Sequence, residues 1–376
     1  MKTQTYAERA DEVRHSPAPR RHRRRVMPLW KLVICDVLLT GLVLCIFAAF
    51  QHVIPRMKAR NAPSVKPVAV VTPVPSDTPT PPPTEKPEAP DEPNDGQTEA
   101  PTEPETPIEP AELTWREKFA DRFTDEVVVT DHSYSSPNIS VDISTNIMQS
   151  DYGQITYYVA DIYIAQIENF QTYLATGEFG YYFSQTPRNI DLDSGAIVAI
   201  NGDYCNNQYF GLLVRNGQVY MTEQTQCDIC VLYYDGTMET YHPDEYSAED
   251  ILANAPYQTW KFGPALLDHD GQPITDYPNT DMEIRWNNPR SGLGYYEPGH
   301  YCFVIVDGRQ SHSRGLEIEG FAQLFADLGC VRAYNMDGGA SAVMTYNDQI
   351  YSRPSSQRDL GDILLIKEIE VPEGDK

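Results

Sequence analysis

Residues 61–112 cannot belong to a packed core, and that limits the fold more than any other feature of the chain. Pro, Thr and Glu dominate the stretch, which includes the run Pro-Thr-Pro-Pro-Pro-Thr at Pro79–Thr84 and the acids Glu85, Glu88, Asp91 and Glu92. Such a composition buries too little apolar surface to offset the entropy of ordering. The expected state of 55–112 is a disordered spacer, reaching on the order of 150 Å if polyproline-like. Of the 376 residues, this leaves one folded unit of about 260, at 113–370.

The N-terminal side is read from charge and hydropathy. Leu32–Phe50 is apolar apart from Asp36, and Arg20, Arg21, Arg23, Arg24 and Arg25 precede it. A stretch near 20 residues spans a bilayer core, and positive charge stays on the cytoplasmic side. Phe47, Ala48 and Ala49 pass into Phe50 and Gln51 without a small-x-small pattern, so an anchor is expected over a cleaved signal peptide. The expectation is a basic cytoplasmic tail at 1–28, a single transmembrane signal anchor at 29–54, and everything beyond it extracellular.

Aromatic and β-branched residues crowd 125–310, with few helical patterns, so the folded unit is expected to be a strand-rich α+β domain with a few helices. Trp115–Phe123 reads as an amphipathic helix leading into it. The apolar spacing of Gly320–Leu328 gives a second helix, ended by Gly329, with a strand at Cys330–Met336. Residues 113–376 hold 15 Lys/Arg against 39 Asp/Glu, which argues against nucleic acid as a partner. Seven of those cations are arginines between 285 and 358: Arg285, Arg290, Arg309, Arg314, Arg332, Arg353 and Arg358. Guanidinium groups bind phosphate bidentately and stay charged.

The helix and strand deliver Asn335-Met336-Asp337-Gly338-Gly339-Ala340-Ser341 to a strand end, where two glycines let the backbone turn sharply and approach a ligand. Upstream lie Asn201-Gly202-Asp203-Tyr204, Phe262-Gly263-Pro264-Ala265-Leu266-Leu267, Asn288-Pro289-Arg290-Ser291-Gly292-Leu293-Gly294, Val306-Asp307-Gly308-Arg309 and Ser313-Arg314-Gly315-Leu316. In this order the segments resemble the phosphodiester glycosidase family, well over 190–366 and loosely over 125–190. Two departures stand out: Ala340 where the family has a third glycine, and Glu317 where it has threonine or serine before the helix.

The resemblance implies a hydrolase cleaving the sugar–phosphate bond of a glycosyl-1-phosphodiester. Glycoside hydrolysis pairs an acid with a base or nucleophile carboxylate, and the candidates are Asp203, Asp307, Glu317 and Asp337. Arg290, Arg309 and Arg314 would neutralise the phosphate. Asn201 and Asn335 would bond sugar hydroxyls, Gly338 and Gly339 would admit the ligand, and Ser341 would bind phosphate or position Asp337. His312 is a candidate proton carrier. Oxygen-rich acidic loops leave room for Ca²⁺ or Mg²⁺, with Asp307 and Asp337 the first candidates, but no cofactor is required. Among the cysteines outside the apolar segment, Cys205 is expected to pair with Cys227, with Cys230 as the rival, while Cys302 and Cys330 read as buried. The expected partner is a cell-wall glycopolymer or similar glycosyl phosphodiester. Two alternatives compete: a non-catalytic module that grips anionic wall polymers, and a phosphodiesterase cutting the other P–O bond.

Overall fold

The computed structural model of the chain describes residues 29–48, 64–73 and 113–369. They fall into two units, Met1–Met57 and Lys58–Lys376. In the first, Leu29–Ala48 is a 20-residue α-helix, and its described apolar side chains, including Val37, Leu38 and Leu42, are exposed. Among the described residues no helix is long and apolar enough to cross a membrane. The structure therefore does not support the expected transmembrane segment; residues 1–28 and 49–54 lie outside the described residues.

The second unit is the expected strand-rich α+β domain. Its largest sheet has seven strands in the order Arg332–Asn335, Arg290–Glu297, His300–Val306, Gly153–Ile164, Ile139–Ser150, Ser133–Ser135 and Val128–Val129. All its pairings are antiparallel. Period-two alternation divides its central strands between two cores. Tyr301, Phe303 and Ile305 face one core with Ile139, Val141, Ile143 and Trp260. Cys302, Val304 and Val306 face the other, against Ile318, Phe321 and Phe325 of the helix Ile318–Asp327. Full burial of each large apolar side chain contributes about 1.5–3 kcal/mol, so this one helix covers a face of the sheet despite its length.

A five-stranded sheet covers the first core, in the order Gln349–Ile350, Met344–Tyr346, Val198–Asn201, Asp362–Ile366 and Phe170–Leu174. It contributes Val198, Ile200, Met344, Leu364 and Ile366. Two three-stranded sheets complete the domain.

One local expectation holds and two change. The second helix lies where its spacing puts it, and Gly329 ends it at φ 83°. The first is shorter than expected, Trp115–Lys118, closed by a capping box between Thr114 and Glu117. The chain leaves helical geometry at Phe119, whose ring packs edge-on against Tyr163 at 5.1 Å. Part of the expected spacer is also structured: Ala69–Val70 pairs antiparallel with Gln218–Val219. Val68 and Val71 donate to the carbonyls of Val219 and Gly217 at 2.7 and 2.6 Å. Proline dominates the average over 61–112, whereas the β-prone run Val68–Val71 inside it docks as an edge strand. Residues 74–112 lie outside the described ones.

Candidate functional site

Four of the glycine motifs meet around Asn288-Pro289. A Cβ on Gly308 would lie 2.6 Å from the Pro289 nitrogen, one on Gly315 2.6 Å from the Asn288 carbonyl, and one on Gly338 2.7 Å from the Pro289 carbonyl oxygen. These are contacts that no side chain tolerates. The glycines are needed so that the loops carrying Asp307, Arg314 and Asp337 can press onto one backbone segment. Gly339 sits at φ 64° and donates its N–H to the Pro289 carbonyl at 3.0 Å, so that N–H braces the loop rather than facing a ligand.

Asp337 is the centre of this convergence. Its Oδ2 accepts from the Arg358 guanidinium at 2.5 Å, and Arg358 Nε donates to Ser341 Oγ at 2.9 Å. Burial raises the Asp337 carboxyl above its ordinary value, and Arg358 and Ser341 oppose that rise. Asn201 donates from Nδ2 to the Asp337 carbonyl at 2.6 Å and accepts from the Val343 N–H, so it orients this backbone. Asn201, Tyr204, Asp337, Ser341 and Asp359 line a small recess. Arg358 is partly exposed and lies over the Tyr204 ring, 5.2 Å from its centroid.

Asp307 forms a second constellation. Its buried Oδ2 faces His312 Nε2 at 3.0 Å and accepts from the Tyr158 hydroxyl at 2.9 Å, while Oδ1 accepts from the Arg353 N–H at 3.1 Å. His312 is thereby fixed on the carboxylate while its ring stays partly exposed. The exposed guanidinium of Arg309 donates to Asn288 Oδ1 at 2.7 Å and sits 3.4 Å from where a Gly339 Cβ would be. Exposed Arg309, Arg314 and Arg353 make no ion pair among the described residues. Glu317 caps the helix Ile318–Asp327 without a side-chain cap bond, and its carboxylate takes the Tyr152 hydroxyl.

Several sequence candidates are buried against protein partners. Asp203 is fully buried: Oδ1 pairs with Arg215 at 2.7 Å and Oδ2 accepts from the Lys261 N–H at 2.9 Å. The same guanidinium nitrogen reaches Asp362 at 2.9 Å, and burial pushes Asp362 up to about 7 against the pull of Arg215. Arg290, expected to grip phosphate, is buried and donates to the carbonyls of Leu316 at 2.8 Å and Trp286 at 2.7 Å. Burial lowers its pKa to about 10. Asn335 is buried and donates to the Gly263 carbonyl at 2.7 Å.

The expected Cys205–Cys227 disulfide is absent: both are free thiols, Cys205 buried and Cys227 exposed. Cys302 and Cys330 are buried as expected, with their sulfurs 3.6 Å apart. Among the described residues, Asp203, Cys205 and Asp362 approach closely enough to suggest a metal. They do not fit one. Arg215 already bridges the two carboxylates, and burial pushes the Cys205 thiol well above its ordinary pKa. Asp307 and Asp337 belong to no such group among the described residues.

Sequence reasoning missed the specific roles of Arg215, Arg353 and Arg358. Arg358 falls at the end of the arginine-rich stretch, but no motif surrounds it. Arg215 lies in an ordinary strand.

The phosphodiester glycosidase family model matches residues 194–367. The SPbeta prophage-derived uncharacterized protein YomE of Bacillus subtilis (strain 168) is 30% identical over 171 residues, covering 43% of this chain and 26% of its own length. The match therefore spans about a quarter of that relative. The catalytic domain of zebrafish N-acetylglucosamine-1-phosphodiester alpha-N-acetylglucosaminidase, auto-inhibited by its pro-peptide, superposes with a TM-score of 0.52 at 20% identity. That alignment covers 65% of this chain and 88% of the zebrafish chain. The family and this fold neighbour are glycosidases acting on phosphodiesters.

Proposed function

From the match of the phosphodiester glycosidase model to residues 194–367 we propose that the chain hydrolyses the bond between a sugar's anomeric carbon and the phosphate oxygen of a glycosyl-1-phosphodiester. The observation that carries this reading is Asp337, a half-buried carboxylate on Arg358 and Ser341 at the mouth of a recess, with the exposed Arg309 packed on the adjacent Gly339. The anomeric C–O bond breaks, and the phosphate monoester departs with the bonding electrons. Water supplies the new hydroxyl on the sugar.

A phosphate leaves readily, so the main demand is charge. In this reading Arg309 and Arg314 neutralise the departing anion, and the Asp337 carboxylate stabilises the positive charge developing on the sugar. His312, oriented by Asp307, takes the water proton. Asp203 and Arg290 shape the site without touching substrate.

The natural substrate in this reading is a glycosyl phosphodiester of the cell envelope. In this reading the arginine block at 20–25, the apolar run at 32–50 and the proline-rich stretch after it form a tether holding the domain outside the membrane. Alkaline carbonate extraction of membranes from cells making the full chain tests the tether; release of the intact chain into the supernatant contradicts it.

Catalysis is tested by incubating the full chain with UDP-N-acetylglucosamine and identifying products by mass spectrometry, beside Asp337→Ala. Free N-acetylglucosamine that disappears in the variant is expected. Sugar 1-phosphate as the product would indicate a phosphodiesterase, and binding without turnover a polymer-binding module.

A further inference from the structure

Tyr204 reaches the Asp337 site from a strained backbone that the hydrolytic reading does not explain. It sits at φ 66°, a left-handed region that a non-glycine residue keeps only where its surroundings enforce it. Both sides of it are anchored. Asp203, one residue earlier, is locked inside by Arg215 at 2.7 Å and by the Lys261 N–H at 2.9 Å, and the Gly202 N–H donates to the Asp362 carbonyl at 2.9 Å. One residue later the short turn Cys205–Asn207 begins, and the Asn207 N–H donates to the Tyr204 carbonyl at 3.1 Å.

The ring held out by this backbone carries Arg358, whose guanidinium carbon lies 5.2 Å from the ring centroid. The same guanidinium donates from Nη2 to Asp337 Oδ2 at 2.5 Å and from Nε to Ser341 Oγ at 2.9 Å. The Arg358 side chain is 43% exposed. An ion pair so exposed contributes little, and a long side chain loses much rotamer freedom when fixed in one pose. An aromatic face attracts a guanidinium lying on it and narrows its orientations.

We propose that Tyr204 is a positioning residue, whose ring seats the Arg358 guanidinium so that it bridges Asp337 and Ser341. This rests on the hydrolase reading, in which the Asp337 carboxylate meets the positive charge developing on the sugar. The electrostatic consequence has a definite sign. Burial raises the Asp337 carboxyl, Arg358 and Ser341 oppose that rise, and Asp203 adds to it. Asp359 and Asp362 line the same recess and supply no cation. A guanidinium that leaves its seat therefore lets the carboxyl keep its proton to higher pH, and the ionised form becomes scarcer on the acid side.

The test measures kcat/KM against pH on UDP-N-acetylglucosamine, with melting temperatures to confirm folding. It compares full-length wild type, Tyr204→Asn, Tyr204→Phe, Arg358→Ala and Tyr204→Asn/Arg358→Ala. Asparagine removes the ring yet tolerates positive φ, so the loop is kept. Tyr204→Asn should move the acid limb to higher pH, in the direction of Arg358→Ala, with kcat/KM on that limb down about two- to fivefold. Tyr204→Phe should keep the wild-type profile, and in the double variant the tyrosine change should add nothing. A wild-type acid limb in Tyr204→Asn, an equal shift in Tyr204→Phe, or a tyrosine effect that persists without Arg358 overturns the positioning role and leaves the hydrolase standing. If no protein hydrolyses the probe, the Asp337 carboxyl signal in ¹³C NMR, assigned by its loss in Asp337→Asn, still decides. A titration midpoint raised in Tyr204→Asn and Arg358→Ala but not in Tyr204→Phe supports the seat and removes the hydrolase; an unmoved midpoint in Tyr204→Asn overturns the seat.

Discussion

A single residue such as Asp337 could be found from its motif, but not the environment that gives it a role. Asp203, Asp307 and Asp337 look alike in sequence, each next to a glycine or inside a glycine motif. The structure separates them by partner: Arg215 locks Asp203 inside, Asp307 orients His312, and Asp337 stays at a rim with Arg358. Nothing local to these motifs encodes Arg215 or Arg358, which lie 12 and 21 positions away. Burial also shapes titration elsewhere. Asp191, buried with Oδ1 accepting from Thr345 Oγ1, is pushed by burial up to about 6 from 3.8. The folded state thus holds a proton that the unfolded chain releases earlier. The stability from that proton is fully present below about pH 4 and is lost as pH rises through about 6. Asp191→Asn removes this dependence, so variant minus wild-type stability should grow by about 2–3 kcal/mol between pH 4 and pH 7 and level off above. Urea melts across that range measure it, and a pH-independent difference contradicts the assignment.

Elements with strong periodicity were the legible part of the fold. The helix Ile318–Asp327 and the strand after it lie where spacing and Gly329 put them. Trp115–Phe123 failed because Phe119 finds a tertiary partner, and 64–73 because a short β-prone run was averaged with its proline-rich surroundings. Both errors arise from contacts distant in sequence. If 64–73 is part of the domain, deleting it strips main-chain bonds and apolar cover from the strand Gln218–Thr222. Its loss should lower the melting temperature by several degrees, whereas an unchanged melt would make it a passive tail. The glycine motifs also act at this scale, as loop-packing devices. Gly338→Ala would drive a methyl group to 2.7 Å from the Pro289 carbonyl oxygen. The expected cost is about 1–3 kcal/mol by chemical denaturation, and wild-type stability in the variant would show that the loops do not meet this closely.

At the scale of the whole molecule, a strongly acidic domain brings the exposed Arg309 and the Asp337-bound Arg358 to the loops that carry the glycine motifs. With 15 Lys/Arg against 39 Asp/Glu in residues 113–376, a net of −24, the domain repels anionic ligands at long range, so specificity for a phosphodiester must come from short-range contacts such as those of Arg309 and Arg358. The central claim is that the bond broken is the one at the sugar's anomeric carbon. Hydrolysis of UDP-N-acetylglucosamine by the full chain in ¹⁸O-water, read by mass spectrometry of the nucleotide product, tests it directly. The account predicts UDP free of ¹⁸O, the label having entered the sugar; ¹⁸O in the nucleotide, or UMP in place of UDP, would place the attack at phosphorus and contradict it.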